Sequence, residues 1–258
     1  MNYETISVSN SDGVAIVTLD RPDTMNALTQ QMRAEITDAV IDAGRNARVV
    51  VLTGAGKAFC SGQDLGDGGS AASMDLERGL RDEYTPMIRA IRECPVPTIS
   101  AVNGAAAGAG ANLALAADVV IAAQSAYFLQ AFARIGLMPD AGGTYVLPRA
   151  MGMAKAMGAA LFADRISARQ ADDWGMIWES VGDDVFDAHW RERAAHLANG
   201  PTQAYARIKQ AMRESWDKDW IGQMENEARL QGRLGKTRDF QEGVLAFLEK
   251  RPANYEGR

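Results

Sequence analysis

The chain has 258 residues, enough for one large domain with an ample core, or a domain with an appendage. Its hydrophobic share of 47% and charged share of 23% are ordinary for a globular protein, and a formal charge of -6 argues against a nucleic-acid or anionic-membrane partner. Two cysteines, Cys60 and Cys94, exclude a disulfide framework, and without a hydrophobic leader after Met1 the protein is expected in the cytoplasm.

Residues Thr5 to Val8 and Val14 to Leu19 are rich in strand formers and flank Asn10-Ser-Asp-Gly13, which predicts an antiparallel hairpin. Arg21 to Leu28 reads as a polar connection. Thr29 then caps a helix that carries Met32, Ile36, Val40 and Ala43 on one face. The apolar run Val49 to Thr53 suits a strand covered on both faces. Gly54 to Leu65 follows as a glycine-containing loop, and Gly66 to Ser73 has the small residues of a mobile lid. Helical spacing returns over 75–93, with Leu76, Leu80, Tyr84, Ile88 and Ile91 in register.

Pro97 to Val102 predicts a buried strand that feeds the stretch Asn103-Gly-Ala-Ala-Ala-Gly-Ala-Gly-Ala-Asn-Leu-Ala-Leu-Ala-Ala-Asp118. Backbone with almost no side chains lets a ligand or another backbone come close. A helix opening there offers free N–H groups to an oxygen that gathers negative charge. A tightly packed buried helix fits the same residues. From Ala105 to Ala117 the run is too short to span a bilayer.

Short strands are predicted at 118–123 and 127–129. In Met138-Pro-Asp-Ala-Gly-Gly143, Pro139 and Asp140 open a possible helix with the carboxylate as cap. Met151 to Phe162 continues as helix, Ser167 to Gln170 matches a capping box, and Met176 to Val181 predicts a last strand. Beyond about Asp183 every signal is helical. Tyr205, Ile208 and Met212 form one apolar stripe, and Phe240, Val244, Phe247 and Leu248 form another.

Several of these motifs, in this order, resemble the crotonase family, also called the enoyl-CoA hydratase/isomerase superfamily, over essentially the whole chain. The matching text is Arg21-Pro22 to Asn26-Ala27-Leu28, Lys57 to Leu65, Pro97 to Gly104, Gly108 to Asp118, Gly136 to Thr144, Ala171 to Gly175, and Phe247 to Pro252. The resemblance implies an α/β fold: a spiral of ββα units over 1–195, with a helical region over 196–258 that packs trimers or pairs of trimers. It implies an acyl-CoA thioester as substrate, with coenzyme A part of that substrate and no separate cofactor or metal. On the family pattern the N–H groups of Gln63 and Ala109 form an oxyanion hole. Coenzyme contacts are expected from Met25, Ala27, Leu28, Lys57, Ala58 and Phe59, and Lys250 is expected to meet a phosphate, in its own or a neighbouring subunit.

Departures from the pattern bear on the reaction. Where hydratases of the family carry two glutamates, this chain has Asn112 and Phe132, so ordinary hydration is expected to be weak or absent. Asp140 stands where isomerising members have their acid/base, and an apolar pocket suggested by Phe132, Ala109 and Ala111 would raise its pKa. Gly136 to Arg149 and Trp174 to Trp178 look most like members that rearrange ring 1,2-epoxyphenylacetyl-CoA. Activity on 3-enoyl-CoA esters, residual hydratase activity and a silent acyl-CoA binder remain as alternatives. The dehalogenating members are set aside, because Phe132 replaces their tryptophan and the helix over 75–93 has no histidine.

Other polar residues have simpler expectations. Asn112 is expected to be a buried amide, with substrate orientation as a second role. Asp64 reads as a loop anchor, Asp118 as a helix end, Tyr84 as a core aromatic that could line the pocket, and His189 and His196 as solvated.

Overall fold

The computed structural model describes residues 3–67 and 75–257. The lid expected over 66–73 therefore lies outside the described residues from 68 onward. The chain opens with β1 (Ile6–Ser11) and β2 (Val14–Leu19), an antiparallel hairpin. Asp12 and Gly13 turn it with φ of 53° and 77°, the left-handed pair that a tight hairpin requires. Then come α1 (Gln30–Asn46), β3 (Val49–Gly54) and β4 (Ala58–Cys60). The Thr29 hydroxyl accepts from the Met32 N–H at 3.2 Å, the expected cap, and all four apolar residues of the predicted α1 face are buried.

Over the predicted helix at 75–93 the structure has α2 (Leu76–Gly79), a π-helical turn at Leu80–Tyr84 and α3 (Thr85–Arg92). The Thr85 N–H reaches back to the Leu80 carbonyl, five residues earlier, and the Thr85 hydroxyl donates to the same oxygen at 2.8 Å. Next are β5 (Thr98–Val102), β6 (Ala105–Ala107), α4 (Ala109–Ala114), β7 (Val119–Ala123) and β8 (Tyr127–Leu129). A 3-10 turn at Ala131–Ile135 leads to α5 (Gly143–Phe162), which kinks at Gly152, and then to β9 (Arg165–Ser167), α6 (Ala168–Asp173) and β10 (Glu179–Val181). The rest is helix: α7 (Phe186–Ala198), α8 (Thr202–Glu214), α9 (Trp220–Leu234) and α10 (Arg238–Glu249).

Two sheets organise the α/β core. The larger has six strands in the order β1-β2-β3-β5-β7-β10, and the smaller has four in the order β4-β6-β8-β9. In the pairs β3/β4, β5/β6 and β7/β8, the first strand joins the large sheet and the second joins the small one, with every neighbour parallel from β2 to β10 and from β4 to β8. This repeat is the spiral of ββα units, and glycine makes its step between sheets possible. A methyl group on Gly54 would meet the Ala58 carbonyl oxygen at 2.2 Å, and one on Gly104 would meet that of Lys57 at 2.1 Å. Val49 to Leu52 in β3 are fully buried, with α1 and α7 both packed against the strand.

The 195/196 point falls inside α7, and α7 packs on β2, β3 and β7. The start of α8, α8 itself and the segment after α10 are held to the core by polar clasps. Arg48 donates to Thr202 Oγ1 (3.1 Å), Tyr255 O (3.1 Å) and Gly200 O (2.6 Å). Asp118, read from sequence as a helix end, is the docking point of α8: it pairs with Lys209 and Arg213 at 2.6 Å each and accepts from the Thr98 N–H at 2.8 Å. The apolar stripes of α8 and α10 are largely exposed in the single chain, Met212 at 69% and Phe247 at 83% among them. Among the described residues no helix is long and apolar enough to cross a membrane, and both cysteines are free and buried.

Replacing Asp118 by alanine would strand the Lys209 ammonium, whose side chain is only 10% exposed, beside Arg213. The expected outcome is a loss of about 3 kcal/mol of stability. Urea unfolding followed by circular dichroism and by tryptophan fluorescence measures it.

Candidate active site

Three neighbouring parallel strands, β4, β6 and β8, end side by side, and the chain leaving each supplies one part of the site. Gln63 follows β4, Ala109 follows β6, and Phe132 follows β8. Gly62 (φ +98°) and Gly108 (φ +53°) turn the first two segments through backbone that side chains rarely adopt. A methyl group on Gly62 would lie 2.8 Å from the Ala107 carbonyl oxygen and 3.5 Å from the Ala109 nitrogen, so the residue before Gln63 abuts the amide of Ala109. Gly110 brings α4 equally close to β4, since a methyl there would lie 2.3 Å from the Cys60 carbonyl oxygen.

Gln63 forms a parallel bridge with Leu28 in which the Leu28 N–H donates to Gly62 O (2.8 Å) and the Asp64 N–H donates to Leu28 O (3.1 Å). That pattern leaves the Gln63 N–H outside the bridge. Among the described residues neither it nor the Ala109 N–H, at the uncapped start of α4, donates to a backbone oxygen. Because α4 has only six residues, any pull on an anion comes from these local amides and little from a summed dipole.

The segment 25–28 runs alongside. The Ser61 N–H donates to Met25 O at 3.0 Å, and the Asn26 amide donates to the carbonyls of Ala55, Ala58 and Phe59. Met25 and Lys57 are exposed, while Ala27, Leu28, Ala58 and Phe59 have buried side chains. Asp64 is the anchor expected of it: Arg21 pairs with it at 2.9 Å and holds its carboxyl below the usual carboxylate range. Lys250 is an exposed C-cap of α10 in left-handed conformation and lies outside the cavity described next.

Asp140 lines a cavity of about 530 Å³ whose apolar wall includes Leu76, Leu80, Ile88, Leu137, Met138 and Pro139. Phe132, Ala109 and Ala111 are not among the residues that line it. The expected helix start at Pro139 is also displaced: α5 begins at Gly143, and Gly142 caps it without a side chain. The carboxyl group is therefore free of capping duty. The main-chain carbonyl of Asp140 accepts from the Gly143 N–H and from Asn112 Nδ2, both at 2.8 Å. Asn112 is held in turn by Gln130, whose amide donates to Asn112 Oδ1 at 2.9 Å. Both side chains are buried, and with the left-handed residues Ala141 and Gly142 they fix the turn that presents Asp140.

The Asp140 Oδ1 atom is buried and has no hydrogen-bond partner among the described residues. Burial pushes its pKa up to about 6, against a small opposing pull from its own backbone N–H. Glu93 also borders the cavity, but it is largely exposed and accepts from Arg89 at 2.7 Å. Tyr84 lines the cavity while remaining 5% exposed, so both roles expected of it hold. His196 is exposed as expected, whereas His189 is half-buried against Glu179 Oε1 at 2.7 Å. Sequence reasoning missed Arg33, which donates to Gln63 Oε1, its partner Glu83, and Gln130, which donates to Asn112. A charged residue beside Met32 on the buried side of α1 was the one visible signal. No group of acidic, histidine and cysteine side chains fit for a metal occurs among the described residues.

Comparison with known proteins adds to this geometry. The family model for enoyl-CoA hydratase/isomerase matches residues 9–258. The chain is 60% identical, over 100% of both chains, to a probable enoyl-CoA hydratase of Rhodobacter capsulatus. It is 42% identical to the 1,2-epoxyphenylacetyl-CoA isomerase of Escherichia coli, covering 95% of this chain and 96% of that one. The crystal structure of enoyl-CoA hydratase from Bacillus anthracis superposes with a TM-score of 0.91 at 32% identity, covering 99% of this chain and 100% of the other.

A carboxyl whose pKa is raised by folding favours the native state below its unfolded value, and that contribution is lost as pH rises through about 6. Asp140→Asn is therefore expected to stabilise the protein at pH 8 by about 1–2 kcal/mol, allowing for partial solvent screening, and to have little effect at pH 4. Thermal melts of both proteins at the two pH values test this.

Proposed function

The chain belongs to the enoyl-CoA hydratase/isomerase family, and from that premise we propose that it is an acyl-CoA isomerase working through Asp140. One observation carries the proposal: a carboxyl with a buried oxygen that has no partner among the described residues, and with a pKa near 6, faces an apolar cavity large enough for an acyl group. Such a group is ionised at neutral pH yet poorly solvated, which suits it to take a proton from carbon and give one back.

In the proposed reaction Asp140 takes a proton from the carbon next to the thioester carbonyl. The electron pair moves onto the thioester oxygen, which the N–H groups of Gln63 and Ala109 hold as an enolate oxygen. Protonation further along the acyl group by the same carboxyl restores the carbonyl and completes the shift. One acid/base suffices, and no water is consumed. Donors fixed in advance by Gly62 and Gly108 need not reorganise as charge appears, and one such donor is typically worth about 2.7–4 kcal/mol.

The preferred substrate is 2-(1,2-epoxy-1,2-dihydrophenyl)acetyl-CoA, supported by the extent of identity to the E. coli isomerase. A 3-enoyl-CoA ester is the next choice, because the same proton transfers move its double bond. Hydration is a second reading, favoured by the identity to the R. capsulatus protein. Against it stand Asn112 and Phe132: the first is an amide whose oxygen and nitrogen are both engaged, and the second has no proton to exchange. The segments around Met25 to Leu28 and Lys57 suit coenzyme contacts, the buried residues among them through main chain.

Asp140→Asn is expected to lower isomerase kcat by about 10²- to 10⁴-fold. Turnover in the unaltered enzyme is expected to rise with pH through about 6 and then level off, since the base is the ionised form. A panel of epoxide, 3-enoyl and 2-enoyl CoA esters followed by mass spectrometry measures both effects. Unchanged isomerisation in the asparagine variant, or hydration exceeding isomerisation, would overturn the reading.

A trimer or pair of trimers is part of the same proposal. Exposed Trp220, Ile221, Phe247 and Leu248 on the terminal helices, with Leu161 and Phe162 on α5, offer the apolar surface that association would cover. Light scattering is expected to return a mass three or six times 27.8 kDa.

A further inference from the structure

We propose that Arg33 and Tyr84 are positioning residues that set the Gln63 amide, so that the helix walling the acyl cavity also aligns the oxyanion donor. The inference rests on the assignment of Gln63 and Ala109 as those donors.

Arg33 is 5% exposed although it carries a permanent charge, and its donors are spread over three segments of chain. One nitrogen, Nη1, donates to Leu28 O at 2.9 Å and to Gln63 Oε1 at 3.2 Å, so it grips both partners of the bridge that presents the Gln63 N–H. Its Nε donates to Glu83 Oε2 at 3.1 Å, and Nη2 pairs with the same oxygen. The guanidinium also lies over the Tyr84 ring, 4.7 Å from its centroid. The Tyr84 hydroxyl donates to Gln63 Oε1, which thus accepts from two fixed donors and has its amide orientation decided by them.

Glu83 and Tyr84 both belong to the π-helical turn at Leu80–Tyr84, a feature often found at functional sites. Tyr84 and Leu80 line the same cavity as Asp140. The wall that an acyl group would touch is therefore bonded, through Tyr84 and the Glu83–Arg33 pair, to the residue whose N–H would hold the thioester oxygen. A burial-only role would need neither the hydroxyl of Tyr84 nor the fork of Arg33. Both groups converge on one side-chain oxygen of Gln63, whose own N–H donates to no backbone oxygen among the described residues.

The test reads the carbonyl itself. Butyryl-CoA labelled with ¹³C at the thioester carbonyl has no double bond or epoxide to rearrange, and difference infrared spectroscopy of the bound ester reports how strongly donors polarise it. The unaltered enzyme is expected to shift the stretch to lower frequency. Tyr84→Phe, which keeps the ring under Arg33, is expected to shrink that shift and to lower isomerase kcat by about 10- to 100-fold with little change in KM. It should leave the apparent pKa of the pH profile in place, because Asp140 is unaltered. Arg33→Met made together with Glu83→Gln, so that no charge is stranded, is expected to do the same; if that pair fails to fold, the phenylalanine variant decides. An undiminished shift with unchanged kcat in Tyr84→Phe overturns this inference alone. Absence of any shift in the unaltered enzyme overturns the donor assignment and this inference with it. Loss of activity in Asp140→Asn with the shift retained is the pattern expected if both readings hold.

Discussion

A carboxyl oxygen that finds no hydrogen-bond partner among the described residues, in an apolar wall, is a standing cost to this fold, and the rest of the site is arranged around it. Burying a polar group without a partner opposes folding, so such a group persists only where surrounding structure leaves it no escape. Here the restraint is applied to the main chain. The Asp140 carbonyl is bonded on one side to Gly143 and on the other to Asn112, and Gln130 pins Asn112 in turn. These bonds fix the backbone from which the carboxyl projects into the cavity.

The opposite side of the site obeys a steric rule. Strands β4, β6 and β8 must end within reach of one another, which places main chain against main chain at Gly54, Gly62, Gly104 and Gly110. Each of these contacts would be closed by a single methyl group. A sheet built with so little clearance delivers amides at fixed positions without the conformational cost that long side chains would carry. The spiral of ββα units thus does more than stack two sheets: its repeat brings three strand ends into line.

Much of this was legible in the sequence, and what was not has a physical cause. The β1–β2 hairpin, the Thr29 cap and the Ser167–Gln170 capping box are local, and each is present where its residues predict it. Strands β4, β6 and β9 have three residues apiece, and two of them lie in Gly/Ala text that reads equally well as loop, so periodicity had nothing to act on. The Pro139 helix start failed because a left-handed pair at Ala141 and Gly142 intervenes before α5. Asp118 looked like a local helix end, yet one of its partners lies 95 residues along the chain, on α8. The apolar stripes of α8 and α10 were correct as stripes, but a period shows only which face is apolar and never what covers it. Asp140, Gln63 and Ala109 were singled out by resemblance, and the buried groups that hold them became visible only through contacts between distant segments.

The π-helical turn before α3 has an evolutionary consequence. An α-helix advances about 100° per residue, so the extra residue that widens this turn rotates everything before it by about that angle relative to everything after. Losing one codon between Leu80 and Tyr84 would restore a regular helix and re-aim Leu76 and Leu80 against Ile88 in one event. A single in-frame deletion or insertion in this turn would thus change which side chains of α2 face the cavity, where point changes would have to recarve the wall residue by residue.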